Sequence, residues 1–125
     1  MRFTRLPVAA ISALLLAAPV LAHPKLLSTD PAANATVAPT QRIELHFSEK
    51  LVPAFTGGQV AMTDMPGMRM KGPMAMTATS SIGPDGTTLV IALARPLPAG
   101  SYTVNWHAVA SDTHRVEGSL AFRVQ

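Results

Sequence analysis

The feature that most restricts this fold is how soon a turn interrupts each apolar stretch. Segments with alternating or β-rich apolar character run over residues 42–48, 59–62, 74–81, 87–93, 101–110 and 119–124, and each reads as a strand. Between them stand turn signals such as Asp30-Pro31, Ala38-Pro39, Gly57-Gly58, Gly83-Pro84-Asp85-Gly86 and the run from Pro96 to Gly100. No stretch sustains a helical period. Strands at this spacing predict an all-β sandwich or barrel, and 125 residues with 48% hydrophobic content suffice for one domain with its own core. Alternation also sorts the faces. Ile43, Leu45 and Phe47 share one side, as do Val104 and Trp106, and these are the core candidates. By the same parity His46 and His107 point outward, as solvated surface histidines.

Residues 1–22 have the layout of an export signal: Arg2 and Arg5, an apolar stretch from Val8 to Val20, then Val20-Leu21-Ala22, which invites cleavage after Ala22. The apolar stretch falls short of the about 20 residues that cross a bilayer, and Pro19 breaks it. The domain organisation is therefore a cleaved signal peptide, 1–22, followed by one β-domain, 23–125. Removing Arg2 and Arg5 leaves eight of the ten basic residues against seven acidic ones, so the formal charge falls from +3 to +1. With no basic run and little aromatic content, nothing tracks a phosphate backbone, and nucleic acid is not an expected partner. The absence of cysteine excludes thiolate zinc sites, iron-sulfur clusters and cysteine nucleophiles. No Gly-x-Ser-x-Gly elbow, His-Glu-x-x-His helix or phosphate-cradling glycine loop is present, so no catalytic residues are assigned.

Cleavage after Ala22 makes His23 the first residue, with a free amine beside its imidazole. Those two nitrogens chelate a single metal ion. Pro24 follows, and its nitrogen has no proton to lose, so the backbone cannot supply the next ligand. Further ligands must come from elsewhere in the fold. Asp112 and His114, two apart in Ser111-Asp112-Thr113-His114, are the candidates, projecting to one side of an extended segment. Amine, imidazoles and carboxylate form a nitrogen-and-oxygen set suited to tetragonal Cu(II). The nitrogen donors bind only when deprotonated, so affinity should fall on acidification.

Apart from Met1, every methionine lies between positions 62 and 76: Met62, Met65, Met68, Met70, Met74 and Met76. Thioether sulfur is a soft, neutral ligand that prefers Cu(I), and several are needed because each binds weakly. Pro66, Gly67, Gly72 and Pro73 make the segment a loop, and Arg69 and Lys71 argue against its burial. Core filling or an adaptable docking surface is the alternative use of such methionines.

Taken together these residues resemble the CopC/PcoC family of periplasmic copper-resistance proteins. The resemblance rests on His23-Pro24-Lys25-Leu26, Ile43-Glu44-Leu45-His46-Phe47-Ser48-Glu49, Met62-Thr63-Asp64-Met65-Pro66-Gly67-Met68, and Asp112-Thr113-His114 with Gly118-Ser119. It implies a small Greek-key β-sandwich, cupredoxin-like or immunoglobulin-like, of about seven strands, with separate Cu(II) and Cu(I) sites. It gives His23, Asp112 and His114 the Cu(II) roles, and it matches Met62, Met65, Met68 and Met74 to the Cu(I) thioether positions. Related proteins place a histidine where this chain has Met70, and this chain carries one extra residue before Met74. An all-thioether set that includes Met70 should hold Cu(I) and tolerate Cu(II) poorly.

The function this implies is a monomeric periplasmic copper carrier or buffer, not an enzyme, that hands copper to a membrane importer or a copper oxidase. A metal-bridged dimer through the Met loop is the alternative assembly. Two other classes compete. A histidine-brace copper oxygenase also uses an N-terminal histidine chelate, although Asp112 would fill the in-plane position that oxygen needs. A metal-free immunoglobulin-like interaction module would account for the strand pattern by itself.

Overall fold

The computed structural model describes residues 23–125, and the export segment expected at 1–22 lies outside the described residues. The strands in chain order are β1 (Leu26–Asp30), β2 (Thr36–Val37), β3 (Arg42–Phe47), β4 (Gly57–Asp64), β5 (Met74–Ala75), β6 (Ala78–Ile82), β7 (Thr88–Leu93), β8 (Gly100–Val109) and β9 (Arg115–Val124). They form two sheets, ordered β1-β3-β7-β6 and β2-β9-β8-β4-β5, packed as a β-sandwich. Among the described residues only the β2–β9 pair is parallel. The remaining regular element among the described residues is one 3₁₀ turn, Pro53–Phe55. Seven strands have five or more residues, as expected, and β2 and β5 add two residues each.

Three elements differ from the sequence-based expectation. The single strand expected over 74–81 is divided: β5 pairs with β4 in one sheet and β6 with β7 in the other. The chain changes sheets at Met76 and Thr77, a step that alternation along the chain cannot show. The unexpected β1 is mostly exposed and is defined by its pairing along β3. β9 starts at Arg115 rather than near Ser119, because ten successive residues of β8 pair with it.

The core lies between the sheets. Ile43, Leu45, Leu89 and Ile91 enter from one side and Val60, Met62, Tyr102, Val104 and Phe122 from the other, all but sealed from solvent. Each large apolar side chain buried in this way contributes about 1.5–3 kcal/mol. Tyr102 stacks on Phe122 at 5.6 Å, and its hydroxyl donates to the Pro98 carbonyl at 2.5 Å. Burial pushes the Tyr102 pKa up, which keeps that donor protonated. Trp106 points inward as expected and meets Phe47 edge-on at 5.2 Å, yet remains half-buried. It stands opposite Gly118, where an added Cβ would come within 2.4 Å of the indole. Only glycine allows that approach.

The register also sets where the loops emerge. Gly57 pairs with His107, and Asp64 with Ser101. The loop after β8 therefore leaves one end of the five-stranded sheet, and the loop after β4 leaves the other. Ten residues of β8 at roughly 3.3 Å each separate the two by about 30 Å.

Candidate metal centre

His23 is brought to the end of the sandwich by the segment leading into β1. Lys25 N–H donates to Ser48 Oγ at 2.9 Å, Ser48 N–H donates to the Lys25 carbonyl at 2.9 Å, and Pro24 is buried. The facing loop is a tight turn rather than the extended segment expected. Thr113 N–H donates to the Ala110 carbonyl at 2.9 Å, Asp112 Oδ1 accepts His114 N–H at 3.2 Å, and Thr113 has φ 65°. Alternate side chains of a strand are about 6.6–6.8 Å apart along the chain. The left-handed residue between them folds Asp112 and His114 together, so one ligand atom each from His23, Asp112 and His114 lies within 4.8 Å of the others.

The Asp112 side chain is only 2% exposed, whereas the two imidazoles reach solvent. Its Oδ2 lies 2.7 Å from His23 Nδ1 and 3.8 Å from His114 Nδ1, and the rings stack at 5.3 Å. This buried oxygen has two imidazole nitrogens as close neighbours and no aligned hydrogen bond. A carboxylate oxygen left so is costly unless a cation satisfies it. Ligands at right angles, each about 2.0–2.1 Å from one metal, stand about 2.9 Å apart, close to the 2.7 Å between Asp112 Oδ2 and His23 Nδ1 and shorter than the 3.8 Å to His114 Nδ1. The His23 atom turned inward is Nδ1, the ring nitrogen able to close a chelate ring with the same residue's main-chain nitrogen. Two imidazoles and a carboxylate fit a borderline divalent transition-metal ion.

At the opposite end, Met65-Pro66-Gly67-Met68 forms a type II turn. Pro66 presets the second position, Gly67 has φ 77°, and Met68 N–H donates to the Met65 carbonyl at 3.1 Å. Met65 and Met68 are paired across it. With Met70 and Met74 they line an open hollow of about 550 Å³, whose rim carries Arg69 and Lys71. Met68 and Met74 are exposed, while Met65 and Met70 rest against the core.

The CopC domain family matches residues 26–125. The chain belongs to the CopC family. It is similar to copper resistance protein C of Pseudomonas syringae pv. tomato, 50% identical over 112 residues that cover 90% of this chain and 88% of that one. The crystal structure of PcoC, a methionine-rich copper resistance protein from Escherichia coli, aligns with a TM-score of 0.76 at 42% identity, covering 83% of this chain and 100% of that one. CopC from Methylosinus trichosporium OB3b aligns with a TM-score of 0.65 at 26% identity, covering 82% of this chain and 94% of that one.

Within this CopC-family fold the six methionines do not act as one strip. Met62 is 1% exposed in the core and does not line the hollow. It shares the inward face of β4 with Val60, two residues earlier, a parity visible in the sequence that competes with a ligand role. Its partner across the strands is Met74, which does line the hollow, so burial and not register separates the two. Met76 is half-buried against the core. His46 and His107 point outward as expected, but both are half-buried. His46 is tied into a hydrogen-bonded network that its position alone did not announce.

Proposed function

We propose that this member of the CopC family is a periplasmic copper carrier, with Cu(II) held by His23, Asp112 and His114 and Cu(I) held by Met65, Met68, Met70 and Met74. The observation that carries this reading is the buried Oδ2 of Asp112, which has no aligned hydrogen bond and is flanked by two imidazole nitrogens. The copper-resistance names of its relatives support the choice of metal. Removal of residues 1–22 would free the His23 amine as a fourth donor, and Pro24 then blocks further backbone chelation. In the Met hollow the donors are neutral and two cationic side chains stand at the rim. That combination favours the lower-charged Cu(I) over Cu(II). Met62, sealed in the core opposite Met74, is left out of this set.

Copper is cargo in this reading, not a catalytic cofactor. Copper held by Asp112 as well as the two histidines would have that carboxylate in a position that oxygen chemistry needs open. The two sites lie at opposite ends of the sheet, so copper leaves each for a partner, a membrane importer or a copper oxidase, rather than crossing one monomer. The test is a Cu(II) titration of the mature protein followed by electron paramagnetic resonance, beside a form with one extra residue before His23. A tetragonal, nitrogen-rich signal that needs the free amine is expected. Equal binding by both forms, or binding by neither, rejects the N-terminal chelate.

A further inference from the structure

On the outer face of the four-stranded sheet, two side chains of β3 are each anchored through one atom and left open at the other. His46 Nδ1 lies 3.0 Å from Thr88 Oγ1, its cross-strand partner. The Thr88 hydroxyl donates to Asp85 Oδ2 at 2.6 Å. Its oxygen therefore accepts from His46 Nδ1–H, which leaves the lone pair on Nε2. Thr88 is buried, and hydrogen bonds first from its hydroxyl and then from Thr87 N–H hold Asp85 at about 2, so the relay ends on a charged carboxylate. Glu44 is arranged in the same way. Its Oε1 accepts from Arg42 Nε at 3.1 Å and Nη2 at 2.9 Å, while Oε2 faces His46 Nε2 at 3.9 Å. That separation is too long for a hydrogen bond, and the imidazole is 40% exposed. Asp30 stands opposite Glu44 in the β1–β3 register and adds negative charge to this face.

We propose that His46 Nε2 and Glu44 Oε2 form a second, open site for a divalent transition-metal ion, with Cu(II) preferred. A metal about 2.0–2.2 Å from each donor bridges atoms this far apart when they approach from nearly opposite sides. Anchoring the second ring nitrogen and the second carboxylate oxygen is what orients metal ligands. Imidazole and carboxylate suit Cu(II) above neighbouring divalent ions. With two protein donors and water in the remaining positions, the site fills after the three-residue centre. It shares no residue with that centre and goes beyond the carrier reading.

The experiment is titration of the mature protein with successive equivalents of Cu(II), following histidine ring resonances by NMR and the copper signal by electron paramagnetic resonance. The second equivalent should broaden the His46 ring and disappear in His46→Gln. It should weaken about tenfold in Thr88→Val, which removes the acceptor for Nδ1–H, and recover in Thr88→Ser. A second equivalent that survives in His46→Gln, that broadens His107 instead, or that does not bind at all overturns the proposal. If the N-terminal chelate fails, His46 broadening arrives with the first equivalent, so the two readings fail separately.

Discussion

Thr113 has a left-handed backbone although it is β-branched, a conformation that costs about 1–3 kcal/mol. The strain is what folds Asp112 and His114 together. Asparagine tolerates this region far better, so Thr113→Asn should raise stability by about 1 kcal/mol and leave Cu(II) affinity unchanged. Thermal unfolding and a competitive titration check the two halves. Asp85 gives a pH dependence. Its pKa falls from 3.8 to about 2 under hydrogen bonds from the Thr88 hydroxyl and Thr87 N–H. The folded value lies below the unfolded one, so this stabilisation is complete above the ordinary carboxylate range and is lost as pH falls through about 2. Urea unfolding between those limits should show the parent protein losing more stability than Asp85→Asn. Parallel pH curves would show that Asp85 contributes nothing.

At the scale of elements, a turn and a strand pair carry the two ends of the molecule. The Met65–Met68 turn requires the positive φ of Gly67, which alanine adopts at a cost of about 1–2 kcal/mol. Gly67→Ala should therefore weaken Cu(I) binding by about tenfold, provided that strain falls on the bound loop. Replacing Met65 and Met68 with leucine should weaken it further, with Cu(II) binding unchanged in both variants. A parallel loss of Cu(I) and Cu(II) affinity would contradict a two-site protein. In the β8–β9 pair, Gly118→Ala drives a methyl into the Trp106 indole, and overpacking of this kind costs about 1–3 kcal/mol. A lower melting temperature with altered fluorescence from the single tryptophan is the expected result.

For the whole molecule, the long β8 strand holds the two candidate centres apart. Sites separated by about 30 Å with no shared residue should act additively, so loading one copper state should leave affinity for the other unchanged. Acidification should separate them further. Imidazole and amine take up protons as the metal leaves, whereas thioethers do not, so Cu(II) should be released and Cu(I) retained. Equilibrium dialysis across the histidine range measures both, and co-release would mean a shared donor set. Cu(II) at 100 times its dissociation constant should stabilise the folded domain by about 2.7 kcal/mol.

The amino-acid order determined the strand faces, because alternation of large apolar and polar side chains in a segment such as Ile43 to Phe47 allows only one inward side. It also determined which candidate donors the chain offers: His23, the Asp112 and His114 pair, and the clustered methionines. What the tertiary structure decided depends on contacts between distant segments. The sheet switch after Ala75 depends on which strand offers free backbone partners, and the turn at Thr113 is held by Ala110 and the Asp112 carboxylate. Met62 and Met65 are the same residue type three positions apart, yet the first is sealed in the core and the second lines an open hollow. His46, an outward histidine by parity, acquires a defined tautomer from Thr88, which lies 42 residues away along the chain. Cross-strand register alone brings those two side chains together.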